Sequence, residues 1–452
     1  MLKDLSCAQK DLVDLEQYYE GTSMNNIGGM IYVGRETTYE KVNKALNTIV
    51  KNFESYRIRI VKDGEKFQQY VSDYEYKEIP YLDFKEKEAE FEEWLSENIN
   101  KNIFMLNSPL YRFFFLELPS GECGIFLLQH HTIADGWSMT LVVNSIINEL
   151  LNLNKEIQNF SYLKIIDNEK KYLKSKRYEK DEQFWSEKIR KLGNNSFFEN
   201  VKNSHINSKR KSYSIDFSDS IKIMDFCENY KISISNLFSA AMFLVKNQKT
   251  QSQINSIGLI LHNRNTREEK YTAGAFLRVL PLIMETNSKL TVEEYIEELK
   301  KENFGLLKHR KFPYSKMIES IENPESLLDC VISYQNTQYD SDFSRNNFSE
   351  EWFNTNSSNT PLMISISNRD SQDYFAIDYD YYEHLLSEED VDILHNKIIK
   401  IIKEFIENPN QLIGNIEITT EAEKDLILNH FNNTKELITK NETVIETFEK
   451  QV

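Results

Sequence analysis

Two rhythms of hydrophobic and polar positions alternate along the chain. Apolar side chains recur near helical spacing over 37–53, and a strand-like YRIRIV follows at 56–61, closed by a turn at Asp63-Gly64. Residues 84–103 predict a highly charged helix. Two apolar runs come next, 112–118 and 124–131, on either side of Pro119-Ser120-Gly121. Such a pair predicts a hairpin buried on both faces. Beyond it, Met139, Val142, Val143, Ile146, Ile147, Leu150 and Leu151 fall on one face of a helix. The segment His131 to Trp137 therefore lies where a strand turns into a helix.

Residues 167–191 are dense in Lys and Glu, with Tyr172, Leu173, Phe184 and Trp185 as anchors; they predict a solvated helix joining two halves. The second half restarts with a helix at 235–246 and a strand at 254–261. Further strands are expected at 328–334 and 374–382, a loop at 354–360, and an amphipathic helix opening at Ser387 and closing at Asn408-Pro409. No solenoid-type repeat interrupts this order. The pattern predicts an α/β chain of two mixed halves that meet near residue 175.

Composition narrows the function. A length of 452 residues allows about three domains or two large lobes. The chain has 54 Lys and Arg against 71 Asp and Glu, a net charge of −17. That balance disfavours nucleic acid and anionic membranes as partners. Four scattered cysteines without a CxxC pair argue against a disulfide scaffold and suit a reducing cytoplasm. No apolar run approaches the ~18 residues of a membrane span, and the N-terminus has no secretory core.

The outstanding cluster is His130-His131-Thr132-Ile133-Ala134-Asp135-Gly136-Trp137-Ser138. Adjacent strand residues face opposite sides, so one histidine turns to the core and the other to a cavity. Gly136 permits close backbone approach, and N–H groups at a helix start can stabilise an anion. A neutral imidazole beside such donors suits attack on an acyl carbonyl. The diverging histidines, without an H-E-x-x-H helix, argue against a metal. His309, His384, His395 and His430 are expected to be surface or packing residues. No nucleophile elbow, phosphate loop or dinucleotide fingerprint is present.

These residues resemble the HHxxxDG signature of nonribosomal peptide synthetase condensation domains. Further resemblances follow in the family's order. Ser6-Cys7-Ala8-Gln9 is similar to SxAQ, with Lys10 and Asp11 following and the later Arg of that motif missing. Glu54 and Arg57 match RHExLRTxF, with Phe53 in place of its His. Phe184-Trp185 is similar to the segment before the second lobe. Asn263-Arg264-Asn265 with Gly274 to Leu282 is similar to the GxFVNTxPLR region, with Arg278 in place of its Asn and Ile283 in place of its closing Arg. His309 to Tyr314 resembles HQDYPFE, and Ser333 to Asn336 the end of the last motif. The resemblance covers about residues 5–417 and implies lobes at 1–175 and 176–417 with a linker at 418–452.

The family likeness implies two chloramphenicol-acetyltransferase-like lobes in a V-shaped pseudodimer with a tunnel between them. It implies amide formation between an acyl thioester and a carrier-bound aminoacyl acceptor. His131 would act as general base or amine-orienting group and His130 would be mainly structural. Asp135 would form a salt bridge, with Arg264 as first partner and Arg57 as second. Gly136 would admit the acyl group and donate to the oxyanion. Trp137, Ser138, Gly274, Ser333 and Asn336 are candidates to line the tunnel. No metal or cofactor is expected in the domain itself, because phosphopantetheine belongs to donor and acceptor carrier proteins. Those partners are commonly acidic, so docking here would need basic stretches such as Lys170 to Arg177. A monomer is expected. Phe431 to Thr434 and Ile445 to Val452 resemble a linker entering an adenylation domain, and Met1 close to the first motif suggests an initiating domain. Epimerisation, a non-catalytic carrier platform and acyl-CoA-dependent acyl transfer remain open alternatives.

Overall fold

The computed structural model describes residues 2–193, 196–198, 206–319, 321, 324–336, 338–368, 374–432 and 443–451. The first half opens with β1 (Lys3–Asp4), α1 (Cys7–Tyr18), β2 (Asn26–Tyr32) and α2 (Tyr39–Asn52). Next come β3 (Ile58–Asp63), β4 (Lys66–Val71), β5 (Tyr81–Asp83) and α3 (Glu88–Ile99). The expected hairpin is β6 (Tyr111–Glu117) and β7 (Cys123–His130), which leads into α4 (Gly136–Leu150). α5 (Tyr162–Tyr172) and α6 (Lys176–Ile189) replace the single joining helix. The break falls at Leu173 to Ser175, where the Ser175 side chain caps α6.

The second half contains β8 (Ser208–Ser214), α7 (Phe217–Tyr230), α8 (Ile234–Thr250), β9 (Ile254–Leu261) and the single turn α9 (Arg267–Lys270). It continues with β10 (Arg278–Glu285), α10 (Val292–Lys308), α11 (Tyr314–Ile318), β11 (Cys330–Gln335) and α12 (Ser341–Arg345). It closes with β12 (Ser349–Trp352), β13 (Leu362–Ser367), β14 (Ala376–Tyr382) and α13 (Glu388–Glu407). Ser387 opens α13 with a capping box to Asp390.

Each half builds a mixed sheet. The first has the order β12-β2-β7-β6-β5 and the second β10-β9-β11-β13-β14-β8; β1-β4-β3 forms a small third sheet. In the first half the apolar stripe of α2 (Val42, Ala45, Leu46, Ile49) packs with that of α4 (Val142, Val143, Ile146) in one core. In the second, α8, α10 and α13 supply Phe238, Leu299 and Ile398 to another. Burying such side chains contributes roughly 1.5–3 kcal/mol each, before cavity terms.

The halves are not cut cleanly at residue 175. β12 belongs to the second half in sequence but adds to the edge of the first sheet, with Ser349 opposite Tyr32 and Trp352 opposite Gly29. Phe343 of α12, and Ala273 and Phe276 of the β9–β10 connection, join the first core. The first two residues of YRIRIV also differ from expectation: Glu54–Arg57 forms a 3-10 turn, and the strand begins at Ile58. In the tail, Asn433, Thr434 and Val452 lie outside the described residues.

Candidate active site

β7 ends at His130 and α4 begins at Gly136, so the histidine pair sits at the strand's exit. Asn26 pairs with His130 across the sheet, and the His131 N–H donates to the Asn25 carbonyl at 2.8 Å. The path of both histidines is thereby set by the β2 edge.

Their environments differ sharply. His130 is buried, and both of its ring nitrogens are engaged. Nδ1 receives the Thr132 N–H at 3.2 Å and contacts the Thr132 hydroxyl at 2.8 Å. The proton therefore sits on Nε2, which donates to Glu16 Oε1 at 3.0 Å. Glu16 also receives Asn25 Nδ2 at 2.7 Å. The Phe104 ring packs 4.9 Å from the imidazole.

His131 is half-buried. Its Nδ1 lies 3.1 Å from the Ala134 carbonyl, which can only accept, so Nδ1 carries the proton. Nε2 keeps its lone pair and has no partner among the described residues. Burial, and then the neighbouring His130, push the imidazole down from 6.5 to about 4. His131 is therefore neutral near pH 7, with one basic nitrogen free.

Asp135 caps α4, accepting from the Ser138 N–H at 2.9 Å and the Ser138 hydroxyl at 2.8 Å. Its other oxygen pairs with Arg264 Nη1 at 2.5 Å and receives the Phe276 N–H at 3.2 Å. Both charged side chains are buried, at 1% and 2% exposure. Burial would raise this carboxyl; the Arg264 charge and the Ser138 bonds outweigh it and hold Asp135 below its usual value. Held in its charged form by Arg264, Asp135 is a weak proton acceptor. It ties α4 of the first half to the β9–β10 connection of the second. Arg264 also lies over the Phe276 ring, 4.0 Å from its centre.

Arg57 does not reach Asp135. Its guanidinium donates to the Val50 carbonyl at 2.8 Å and to the Ser72 carbonyl at 3.2 Å, and it also reaches the Lys51 carbonyl. It terminates α2, whose last carbonyls lack helical partners.

Two of the expected tunnel residues belong to the same tie between halves. Ser138 is fully buried; its hydroxyl receives Gly274 N and Arg264 Nη2, each at 3.0 Å. At Gly274 an added Cβ would stand 2.4 Å from the Tyr162 ring, so Gly274 is packed rather than open. Tyr162 donates to the Ala275 carbonyl at 2.8 Å and stacks edge-on with Phe276. Trp137 is half-buried and donates from its indole to the Lys270 carbonyl at 2.8 Å. Ser333 is buried within β11, and Asn336 is exposed just past its end.

Gly136 is different. A Cβ built there meets nothing within 4 Å. As the first residue of α4, Gly136 presents an N–H that no turn of the helix can use. Open space, a helix N-terminus and the free Nε2 of His131 thus occur within one six-residue stretch.

Glu16, Asn25 and Tyr162 lie outside the set that sequence reasoning singles out. Glu16 has a signal: with Gln9 and Val13 it forms a buried stripe of α1, a polar residue at an apolar position. His309 and His395 stack on Phe184 and Tyr213, at 4.0 and 3.8 Å between ring centres, as packing residues do. No helix among the described residues is long and apolar enough to cross a membrane.

A condensation-domain family profile matches residues 3–428. One plipastatin synthase polypeptide of Bacillus subtilis (strain 168) is 25% identical over 99% of this chain, which spans 18% of that relative. Surfactin synthase subunit 1 of the same organism is 24% identical over 99% of this chain, which spans 13% of it. The chain thus corresponds to less than a fifth of these relatives. Among solved structures, the first condensation domain of the CDA synthetase superposes with a TM-score of 0.76 at 15% identity, covering 93% of this chain and 99% of that one. A starter condensation domain of rhizomide synthetase in complex with C8-CoA gives a TM-score of 0.81 at 15% identity, covering 92% and 98%. With its paired mixed sheets and this profile match, the chain belongs to the condensation-domain family of nonribosomal peptide synthetases, amide-bond-forming acyltransferases with a chloramphenicol-acetyltransferase-like pseudodimer fold.

Proposed function

We propose that this domain joins an acyl thioester to the α-amine of an aminoacyl group held on a carrier protein's phosphopantetheine arm. The observation that carries the reading is the state of His131: neutral, fixed through Nδ1–H to the Ala134 carbonyl, with Nε2 free. The amine nitrogen attacks the thioester carbonyl and a tetrahedral adduct forms. The C–N bond is kept and the C–S bond breaks. Over the reaction one proton leaves nitrogen and one reaches the departing thiolate, so no redox partner is required.

The lowered pKa of His131, about 4, favours one of two roles. An α-amine titrates at ~7.7–8.0, so taking its proton outright is uphill by about 4 units, or ~5 kcal/mol. About a tenth to a sixth of the amine is already neutral near pH 7. Accepting a hydrogen bond from it, and so aligning its lone pair, is the easier task; alignment can lower a barrier by as much as ~7–11 kcal/mol. The acidity of nitrogen rises once the adduct forms, and His131 can then accept the proton. The Gly136 N–H would donate to the oxyanion, and the space at Gly136 would take the acyl group.

The fold likeness to a starter domain solved with C8-CoA supports acyl-CoA as an alternative donor. Residues 418–452 would lead toward an adenylation domain; the exposed Leu428, Phe431, Ile445 and Phe448 support a neighbour there. Intact-mass measurement tests the reading directly. An acceptor carrier loaded with an amino acid is incubated with the domain and either acyl-carrier or acyl-CoA. The expected result is an acceptor mass raised by the acyl group. Conversion of a singly loaded carrier to its D-residue, without an amide, would place epimerisation first.

A further inference from the structure

The β9–β10 connection is held at both ends by guanidinium groups that reach acids of the first half. Arg264, near its start, pairs with Asp135. Arg278, the first residue of β10, closes the other end. Its Nη2 donates to Glu169 Oε1 of α5 at 2.7 Å, and its Nη1 to the Lys311 carbonyl at 3.0 Å. Between these anchors lie Gly274, Ala275 and Phe276, whose backbones bond Ser138, Tyr162 and Asp135.

The two anchors differ in depth. Asp135 and Arg264 are shut away from solvent, whereas the Glu169 and Arg278 side chains keep 20% and 8% of their exposure. Both line a cleft between α5 and the connection. Glu169 is shared, because its other oxygen accepts the Cys7 N–H of α1 at 2.8 Å. Arg278 Nε is buried and has no hydrogen-bond partner among the described residues. A guanidinium sunk this far, with one donor orphaned, costs stability locally. An uncharged side chain at the start of β10 would avoid that cost. Local packing therefore does not account for an arginine here, and its reach into the first half does.

The motif departures fall on the same cluster. An Asn is expected where this chain has Arg278, and an Arg on the SxAQ stretch of α1, where it has Lys10 and Asp11. Position 11 stands one helical turn beyond Cys7, whose N–H is bonded to Glu169. Asp11 also feels the arginine: burial pushes its carboxyl up to about 6, and Arg278 is the charge that most opposes the rise. A guanidinium on α1 would neutralise Glu169 from within the first half. On β10 it neutralises the same acid from the second half, so the tie crosses between them.

We propose that Arg278 is a positioning residue: by reaching Glu169 it holds the far end of the β9–β10 connection against the first half, and so keeps that connection in place on the HHxxxDG segment. Its kinetic consequence rests on the amide-forming reading. The test compares the full chain with Arg278→Asn and with Asp11→Arg/Arg278→Asn, which moves the guanidinium to α1. The readings are the unfolding midpoint in denaturant, amide hydrogen exchange of residues 263–277 by mass spectrometry, and amide formation from N-acetylcysteamine thioesters. Arg278→Asn should lower the midpoint, raise exchange of the connection about tenfold, and lower kcat about fivefold with KM nearly unchanged. In the double variant the midpoint should return toward wild type, because Glu169 regains a cation, while exchange stays raised and kcat stays low. A purely structural role would not separate these readings. Wild-type exchange in Arg278→Asn overturns the proposal. So does a double variant that recovers exchange and kcat together with its midpoint. Where Arg278→Asn fails to fold, Arg278→Lys, which keeps the charge without the fork, takes its place: raised exchange supports the proposal and wild-type exchange overturns it. If the wild type makes no amide, the proposed activity fails on its own, and exchange of residues 263–277 still decides the role of Arg278.

Discussion

The two sides of the HHxxxDG segment make opposite use of their polar groups. On one side everything is engaged. His130 has both nitrogens bonded, Asp135 holds Arg264, Ser138 and Phe276, and the Ser138 hydroxyl meets Gly274. On the other side one nitrogen of His131 and the space at Gly136 are left open. The first side has the marks of a structural joint, where each loss leaves an orphaned partner. The second has the marks of a reaction site, where capacity is held in reserve. Residues next to each other in sequence are divided between these tasks by which way the backbone turns them.

Mutations should separate the two sides, most strongly at the buried ion pair. Arg264→Ala leaves Asp135 buried and uncompensated, and should cost about 3–5 kcal/mol of stability by denaturant unfolding. Reconstituting activity at a lower temperature should not rescue the variant fully, because the halves lose their common anchor. Gly274→Ala should be milder. Its Cβ meets the Tyr162 ring at 2.4 Å, and overpacking of this kind costs roughly 1–3 kcal/mol. Gly136→Ala should change stability least, within about 0.5 kcal/mol, because the new methyl meets nothing in the protein. If Gly136 faces the acyl group, that same variant should still slow amide formation several-fold. A fall in both stability and rate would assign Gly136 to the joint instead.

The pH profile gives a smaller and subtler contrast. The His131 imidazole is held down at about 4, so it stays neutral from about pH 5.5 upward. Its stability effect has a defined sign. A histidine whose folded pKa is lowered destabilises the fold as pH drops below the unfolded value near 6.5, until the folded group also protonates near 4. Activity between about pH 5.5 and 7.5 should follow the acceptor amine alone, rising toward its pKa of ~7.7–8.0. An inflection near 6.5 that disappears in His131→Gln would show an ordinary, titrating histidine.

Much of this division is readable in the residues themselves. The hairpin, the one-faced α4 and the start of α13 at Ser387 follow from short-range periodicity and capping. The pairing of Asp135 with Arg264 follows from the family likeness of the Asn263-Arg264 motif. What escapes is long-range or polar. β12 has the sequence SEEW and β8 SKRKSYS, so neither shows an apolar alternation; their backbones are recruited by β2 and β14. Arg57 belongs to a matching motif, but its partners are carbonyls, and carbonyls are invisible in a sequence. The family likeness puts Ser138 and Gly274 in the tunnel, yet their small size serves the close approach of α4, the β9–β10 connection and Tyr162. Smallness near a site reads equally as room for substrate or room for the protein.

The central claim is that His131 does chemistry while its neighbours hold the fold. The most direct test is the single-turnover rate of amide formation by His131→Ala, beside wild type, on carrier-bound donor and acceptor. The account predicts a rate lower by ~10²–10⁴-fold with the unfolding midpoint nearly unchanged. Condensation at the wild-type rate by a folded His131→Ala domain would contradict it.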